Sequence, residues 1–333
     1  MKVAVIGAGI AGISCASKLQ QAGYQVVLFD KARSVGGRMT SKRSTQGYMD
    51  FGAQYFTARH PLFQQQVASW QQHGVVSRWL APLYQYEQAR LLASPDAQQR
   101  YVGIPAMHSP LKWQARQLDC QLSCRITALK AKENTWQLIA ESGEQFGPFD
   151  EVVLTLPPAQ VNSLLPQTVT QRFPETILQP CWAVTLVLAK GTAHAAGGIF
   201  IKDAESPLSW VSRHNSKPGR AQTESWLLHF KPAFSALHLQ QDQAFWQQTA
   251  EQTLSALLGQ PLAVAEMISH RWLYAQIQTQ HQDFHYEGVI AAGLWVAGDW
   301  TRGGRVENAW LSGIEIAQQI IVKQGASVCP SIG

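Results

Sequence analysis

Residues 2–12 read KVAVIGAGIAG, and this stretch decides the fold. Lys2–Ile6 is a short continuous apolar run, the pattern of a central parallel strand covered on both faces. Gly7-Ala8-Gly9-Ile10-Ala11-Gly12 follows at once, a GxGxxG set between that strand and a helix expected over Ile10–Ala22. Gly7 permits the tight turn, Gly9 lets backbone approach a pyrophosphate, and Gly12 lets the helix pack close on the strands. The helix start, with Ile10 and Ala11, then offers N–H groups and the positive end of its dipole to phosphate. Gly23 closes the helix and Gln25–Phe29 (QVVLF) is a second buried strand, which completes a βαβ unit of about 30 residues. Asp30 ends that strand about 20 residues past the third glycine, where a carboxylate accepts both ribose hydroxyls and disfavours a 2′-phosphate.

Two further motifs lie outward from this unit. Lys31 leads to Gly36-Gly37-Arg38-Met39, where paired glycines fold backbone over a pyrophosphate and a guanidinium neutralises it. A domain that binds only NAD has no need of this second phosphate contact, so the motif favours FAD. Near the other end, Gly298-Asp299 follows the apolar strand expected at Leu294–Ala297, and Arg305-Val306-Glu307-Asn308-Ala309-Trp310 opens a terminal helix. Asp299 suits a ribityl chain, and the helix start suits the negative charge that develops on a reduced flavin.

The intervening sequence supplies more strands and helices. Phe63–His73 and Phe245–Leu258 are expected helices, and Tyr84–Leu92 is strand or hairpin material before a Ser94-Pro95-Asp96 turn. Arg125–Lys130 and Thr135–Ala140 are expected to pair around Glu133-Asn134, while Glu151–Leu156 is a buried strand stopped by Pro157-Pro158. Trp182–Ala189 and Ser225–Phe230 read as sheet strands, and Glu307–Lys323 as the long last helix. The fold class is therefore α/β: a Rossmann-like, glutathione-reductase-like FAD-binding domain over 1–57, 103–159 and 271–333. An α+β substrate domain, built on a mixed and largely antiparallel sheet, is expected over 58–102 and 160–270.

Composition narrows the function class. With 46% hydrophobic and 15% charged residues, the 333-residue chain can bury a large core and is no disordered tail. The net charge of +5 is spread without a basic block, so no nucleic-acid partner is expected. Cys15, Cys120, Cys124, Cys181 and Cys329 show no CxxC spacing and read as reduced thiols of a cytosolic protein, although Cys120 and Cys124 can share a helical face. No apolar run is long enough to span a bilayer and no signal peptide precedes the first strand, so a cytoplasmic protein without a membrane partner is expected. His270 and His281 share no ligand spacing, so no metal is expected and His270 reads as structural.

Taken together, Phe29-Asp30-Lys31, Gly36–Met39, the run Asp50-Phe51-Gly52-Ala53-Gln54-Tyr55-Phe56-Thr57-Ala58-Arg59, His270–Ala275 and Gly298–Gly313 resemble the bacterial renalases, within the amine-oxidase-like flavoproteins. The resemblance runs from residue 1 to about 322. It implies a non-covalent FAD and oxidation of the 2- and 6-dihydro isomers of NAD(P)H. Hydride would pass to flavin N5 with release of NAD(P)+, and O2 would then yield hydrogen peroxide. No cysteine stands near Gly298-Asp299, in keeping with a non-covalent flavin.

Carried over, the resemblance implies cofactor contacts at Gly52, Ala53, Gln54, Tyr55, Arg125, Ile126, Thr155, Leu156 and Pro157 besides those of the three motifs. It implies that Tyr55, Phe56, Thr57, Ala58 and Arg59 line the substrate side of the flavin. Trp182, Trp210, Trp272 and Tyr274 are candidates for the remaining wall, since aromatic faces suit a planar nicotinamide and exclude water. Core packing is the competing reading for each of the 12 tryptophans. Arg59 and Arg213 are candidates to meet a substrate phosphate. No acid or base is expected, because hydride transfer to a flavin requires none. An amine oxidase on the same fold, with Trp272 and Tyr274 flanking the amine, and a redox-inactive dinucleotide-binding protein are the alternatives. The oligomeric state is left open.

Overall fold

The computed structural model describes residues 1–94, 97–278, 285–286 and 288–328, with side chains of the terminal helix as far as 323. Pro95, Asp96, His281 and Cys329, named above, lie outside the described residues. The chain packs into two compact units. One comprises Met1–Gly37, Leu111–Leu178 and Ile277–Gly333; the other comprises Arg38–Pro110 and Gln179–Gln276. The bounds expected from the positions of the strands along the chain differ from these. Residues 38–57, 103–110 and 271–276 accordingly pack with the second unit, and 160–178 with the first.

In the first unit a six-stranded sheet has the order Val289–Ala291, Leu294–Val296, Glu151–Leu154, Lys2–Ile6, Gln25–Phe29, Asp119–Gln121. Every described pairing in it is parallel except that of Val289–Ala291 with Leu294–Val296. Val3, Ala4, Val5 and Ile6 are all buried, which is why this central strand is continuously apolar rather than alternating. The helix Ile10–Gln21 follows, and Gly23 at φ 86° ends it in a conformation that favours glycine. The terminal helix Val306–Val328 packs on it through a second glycine: a Cβ on Gly313 would lie 2.1 Å from Ala11 O. Ser14 Oγ secures that approach by donating to Ala11 O and Trp310 O, each at 3.0 Å. Ile126–Lys132 and Thr135–Ala140 form the expected antiparallel pair, with Gln145–Phe149 as a third strand. Cys120 and Cys124 do not share a helix. Cys120 lies in the edge strand Asp119–Gln121, recruited in parallel to Gln25–Phe29, and Ser123 at φ 55° turns the chain before Cys124.

The second unit is built on a seven-stranded sheet, in the order Val264–Ile277, Leu178–Leu188, Ser225–Phe230, Leu208–Arg213, Gly198–Ile201, Leu83–Glu87, Arg90–Ala93. Its described pairings are antiparallel except that of Gly198–Ile201 with Leu83–Glu87, so the sheet is mixed and largely antiparallel. Strand alternation splits its side chains between two buried faces. Val184, Leu186, Leu188, Trp226, Leu228 and Phe230 pack with Trp246, Ala250 and Leu254 of the helix Gln243–Leu258. The intervening Ala183, Val187 and Leu227 face Met49 and Phe51, at the end of the hairpin Ser41–Ser44 and Gly47–Asp50. Ser212 pairs with Leu227 and Trp210 with His229, so both belong to this second face. That face carries the candidate site of the unit.

Candidate active site

The first unit presents a dinucleotide cradle whose geometry explains each glycine. Gly7 sits at φ 114°, and a Cβ there would lie 2.5 Å from Thr155 Oγ1, itself bonded to Ile6 O and Gly7 O. A Cβ on Gly12 would lie 1.9 Å from Gly7 O. Gly37, at φ 51°, approaches so close that its Cβ would meet Gly9 Cα at 3.2 Å, and Gly36 N donates to Ala8 O at 2.8 Å. Gly9 is the position where a Cβ would meet no protein atom within 4 Å. Gly9 is also the N-cap of the helix Ile10–Gln21, with no side-chain cap and no acidic residue in the first turn. Its leading N–H groups and dipole therefore suit a pyrophosphate. Asp30 is held by both oxygens, Oδ2 accepting from Ala8 N at 2.6 Å and Oδ1 from Ala32 N at 2.7 Å. These bonds orient a half-buried carboxylate and leave lone pairs for ribose hydroxyls. The residues present thus fit a dinucleotide such as FAD.

Other candidates of the unit gather around the strand ends. Cys124 N donates to Asp30 O at 2.9 Å, which brings Arg125 and Ile126 to the end of the acidic strand. Arg125 is exposed and pairs with Glu141, whereas Ile126 is buried. Leu156 O accepts from Trp300 Nε1 at 2.9 Å, and Pro157 is the N-cap of the helix Pro158–Leu164. Asp299 and Glu307 are buried, and Gly303, Gly304 and Arg305 all have positive φ just before the helix Val306–Val328. Lys31 and Arg305 are exposed, while Met39, in the second unit, is buried.

In the second unit, Gly52 lies where a Cβ would be 1.9 Å from Arg38 O, and Ala53 N donates to the same oxygen at 2.9 Å. Arg38 Nη1 donates to Ala275 O at 3.1 Å. Phe51 O accepts from His229 Nε2 at 2.8 Å and from Trp272 Nε1 at 3.0 Å, so these rings fix the segment. A carbonyl can only accept, which assigns the His229 proton to Nε2. Gln54 is locked from both ends. Its Nε2 donates to Asp50 O at 2.8 Å and Gly52 O at 3.0 Å, and its Oε1 accepts from Lys217 Nζ at 2.7 Å and Ser212 Oγ at 2.8 Å.

Beneath this segment lies a buried ionic cluster. Asp50 Oδ2 accepts from Arg220 Nη2 at 2.8 Å, Arg220 Nε at 3.2 Å and Lys217 Nζ at 3.2 Å. Its Oδ1 accepts from Ser41 Oγ at 2.5 Å and Met107 N at 3.2 Å. Asp50 N donates to His214 Nε2 at 3.0 Å. Burial pushes the His214 imidazole down to about 3, Lys217 reinforcing that and Asp50 opposing it, so the ring is neutral. Two cations therefore face one carboxylate.

Above it the Tyr55 ring stands in an aromatic group, with ring centroids 5.9 Å from Trp79 and 5.6 Å from Trp210. Phe200 joins at 4.7 Å from Trp210, and the Arg100 guanidinium lies 5.1 Å over Tyr55. Of the residues expected at a substrate wall, Tyr55 and Trp210 are brought together here. Trp272 packs on His270 at 4.2 Å and against Gly52, and Tyr274 follows two residues on along the same strand face. Burial, with Lys42 nearby, pushes His270 down to about 4. Phe56 is not in the group: it is buried among Phe63, Trp70 and Tyr101. Trp182 stacks on Trp246 at 4.7 Å on the opposite, helix-covered face, where core packing is its role. Thr57 and Ala58 are partly exposed; Arg59 is exposed and donates to Gln98 Oε1 at 2.9 Å. Arg213 is turned to His194 O and the Trp226 ring. Sequence reasoning missed Trp79, Phe200, Lys217 and Arg220, which lie far from the motifs along the chain.

Comparison with known proteins places this geometry. Residues 5–69 match the NAD(P)-binding Rossmann-like domain, and residues 101–321 match the flavin containing amine oxidoreductases. Over 52 residues the chain is 40% identical to 4,4'-diapophytoene desaturase (4,4'-diaponeurosporene-forming) of Staphylococcus aureus (strain Newman). That match takes in 16% of this chain and only 10% of the desaturase. Among solved structures, a putative protoporphyrinogen oxidase from Exiguobacterium sp. 255-15 superposes with TM-score 0.80 at 13% identity, over 97% of this chain and 99% of that one. Cyclohexylamine oxidase from Brevibacterium oxydans IH-35A gives 0.74 at 11% identity, over 97% and 99%. A putrescine oxidase redesigned in its cofactor binding gives 0.74 at 12% identity, again over 97% and 99%. At these identities the solved structures share the fold alone. The match over residues 101–321 takes in most of the chain, which therefore belongs to the flavin-containing amine oxidoreductases, an FAD-dependent oxidoreductase family.

Proposed function

We propose that the chain is an FAD-dependent oxidase of the 2- and 6-dihydro isomers of NAD(P)H, releasing NAD(P)+. The observation that carries the reading is the aromatic group of Tyr55, Trp79 and Trp210, backed by a cluster with two cations to one carboxylate. Such a wall suits a planar ring that is neutral or anionic and keeps water from it. Bound FAD would supply a two-electron acceptor for the hydride and a route for those electrons to O2, which with two protons gives hydrogen peroxide. Gly9, Gly37 and the helix start would hold the pyrophosphate, and Asp30 the ribose. Gln54, locked by Lys217 and Ser212, sets the position of Tyr55. The 50–59 segment, which resembles that of the renalases, supports the same reading. No side chain is assigned as acid or base, since a hydride leaves its carbon without a prior proton transfer.

The family description and the putrescine and cyclohexylamine oxidases of like fold favour a second reading, oxidation of a small amine. One experiment separates the two. The FAD-loaded protein is mixed anaerobically with borohydride-reduced NAD+, and separately with putrescine and with cyclohexylamine. Loss of the oxidised-flavin absorbance is then followed. Rapid bleaching by the dihydronicotinamide mixture alone is expected. Bleaching by the amines alone overturns the proposal, and bleaching by neither points to a binding protein without redox turnover.

A further inference from the structure

The donors and acceptors around Tyr55 are unequally used. Asp50 is the one carboxylate among the described residues that bonds into the network, and four donor groups engage it: Ser41 Oγ, Met107 N, Lys217 and Arg220. It is fully buried. The Gln54 carbonyl is likewise taken, by Lys217 and Ser212. An incoming ammonium therefore finds these acceptors occupied. On the donor side the position is reversed. Trp210 Nε1–H is buried and has no hydrogen-bond partner among the described residues. Trp182 and Trp246 in the helix-covered core share that state, so it is the place of Trp210 beside Tyr55 that makes a ligand oxygen a partner for its buried donor.

Charge points the same way. Aromatic faces ordinarily attract ammonium groups. Here the chain's own cations already lie against them: Lys217 Nζ is 5.7 Å from the Trp79 ring, and Arg100 is 5.1 Å from Tyr55 and 5.6 Å from Phe200. Lys217 and Arg220 together exceed Asp50 by one positive charge, in surroundings where water screens little. Removing Lys217 would leave Asp50 and Arg220 as a balanced pair.

We infer that Lys217 sets the charge selectivity of the Tyr55–Trp79–Trp210 group, admitting planar rings that bear a carbonyl or carboxylate and rejecting ammonium ions. The inference rests on the reading of this group as the substrate wall. It makes Lys217 a specificity-determining residue, acting through charge and through the Gln54 amide.

The test uses three pyridines of similar size substituted at the same ring position: nicotinate, nicotinamide and 3-(aminomethyl)pyridine, which at pH 7 are anionic, neutral and cationic at the side group. Each is titrated into the FAD-loaded protein, and binding is read from the flavin spectrum and tryptophan fluorescence. Nicotinate and nicotinamide are expected to bind at least about tenfold tighter than the ammonium compound. Lys217→Met should narrow that gap by about fivefold or more, and Lys217→Arg should keep it. A merely structural lysine would weaken all three alike. Equal or tighter binding of the ammonium compound overturns the inference. So does a gap unchanged in Lys217→Met, or failure of nicotinate and nicotinamide to bind at millimolar concentration. Should Lys217→Met not fold, Lys217→Gln takes its place in the same titrations, with the same narrowing expected. Because binding is read without turnover, charge selectivity without bleaching by dihydronicotinamides would sink the proposed reaction and leave this inference standing.

Discussion

Lys217 Nζ lies 3.2 Å from Asp50 Oδ2, with 0% and 1% of the two side chains exposed. Burial alone would raise the Asp50 carboxyl. The charges of Lys217 and Arg220, with the Ser41 hydroxyl, outweigh it and hold the group well below the usual carboxylate range. Burial pushes Lys217 down to about 8, against the pull of Asp50 and with the push of Arg220. The pair is thus charged at neutral pH, and each partner depends on the other. It joins the hairpin end at Asp50 to the segment 214–220 that follows the strand Leu208–Arg213.

Asp50→Asn should therefore be strongly destabilising. It leaves Lys217 and Arg220 buried without their anion, which costs roughly 3–5 kcal/mol. Urea unfolding of the purified protein measures this, and Asp50→Asn combined with Lys217→Met should recover part of the loss. An Asp50→Asn protein within about 1 kcal/mol of the parent would show that the cluster is not holding the segment.

This cluster also marks where the sequence stops being legible. The cradle at Gly7–Gly12 is local: strand, turn, helix and acidic strand end fall within one short stretch, and each glycine has a steric reason inside it. The mixed sheet was likewise legible in the apolar runs Trp182–Ala189 and Ser225–Phe230. Asp50, Lys217 and Arg220 come from distant segments, and Lys217-Pro218-Gly219-Arg220 reads on its own as a solvated turn. Trp182 and Trp210 look alike in sequence. Strand register alone sends one to the helix-covered core and the other to the Tyr55 side. The strand Val264–Ile277 is not legible in the sequence, because its half-exposed residues show no sustained alternation.

Gly9 offers a cleaner test of the cradle than Gly12. A Cβ at Gly9 meets no protein atom within 4 Å, and its φ of −77° is open to any residue. Gly9→Ala should leave the stability of the flavin-free protein within about 1 kcal/mol of the parent, yet weaken FAD binding about tenfold or more. Gly12→Ala drives a Cβ to 1.9 Å from Gly7 O and should lower the unfolding temperature even without flavin. Unaltered FAD affinity in Gly9→Ala would remove that glycine from the pyrophosphate site.

Asp30 combines two duties that substitution can separate. Its oxygens order the glycine turn through Ala8 N and the next loop through Ala32 N, and the proposal assigns them the ribose as well. Asp30→Asn retains an oxygen acceptor, whereas Asp30→Ala retains none. FAD occupancy after purification, read as the ratio of flavin to protein absorbance, should fall in the order parent, Asn, Ala. Full occupancy in Asp30→Ala would show that the ribose is held elsewhere.

Acid should destabilise the fold through its buried histidines. His229 is pushed down to about 4, by burial first and by Lys217, against its bond to Phe51 O, and His214 to about 3. An unfolded histidine titrates near 6.5, so between about pH 6.5 and 4 the unfolded chain binds protons that the folded one refuses. Stability is therefore complete above about pH 6.5 and falls as pH drops through that window, by up to about 1.4 kcal/mol per pH unit for each ring. The unfolding temperature should accordingly decline from about pH 6.5 downwards, before most carboxylates titrate. His229→Gln, whose amide can still donate to Phe51 O, should flatten the decline. An unfolding temperature that stays level from about pH 7.5 to about pH 4.5 would mean that these rings already carry protons inside the fold.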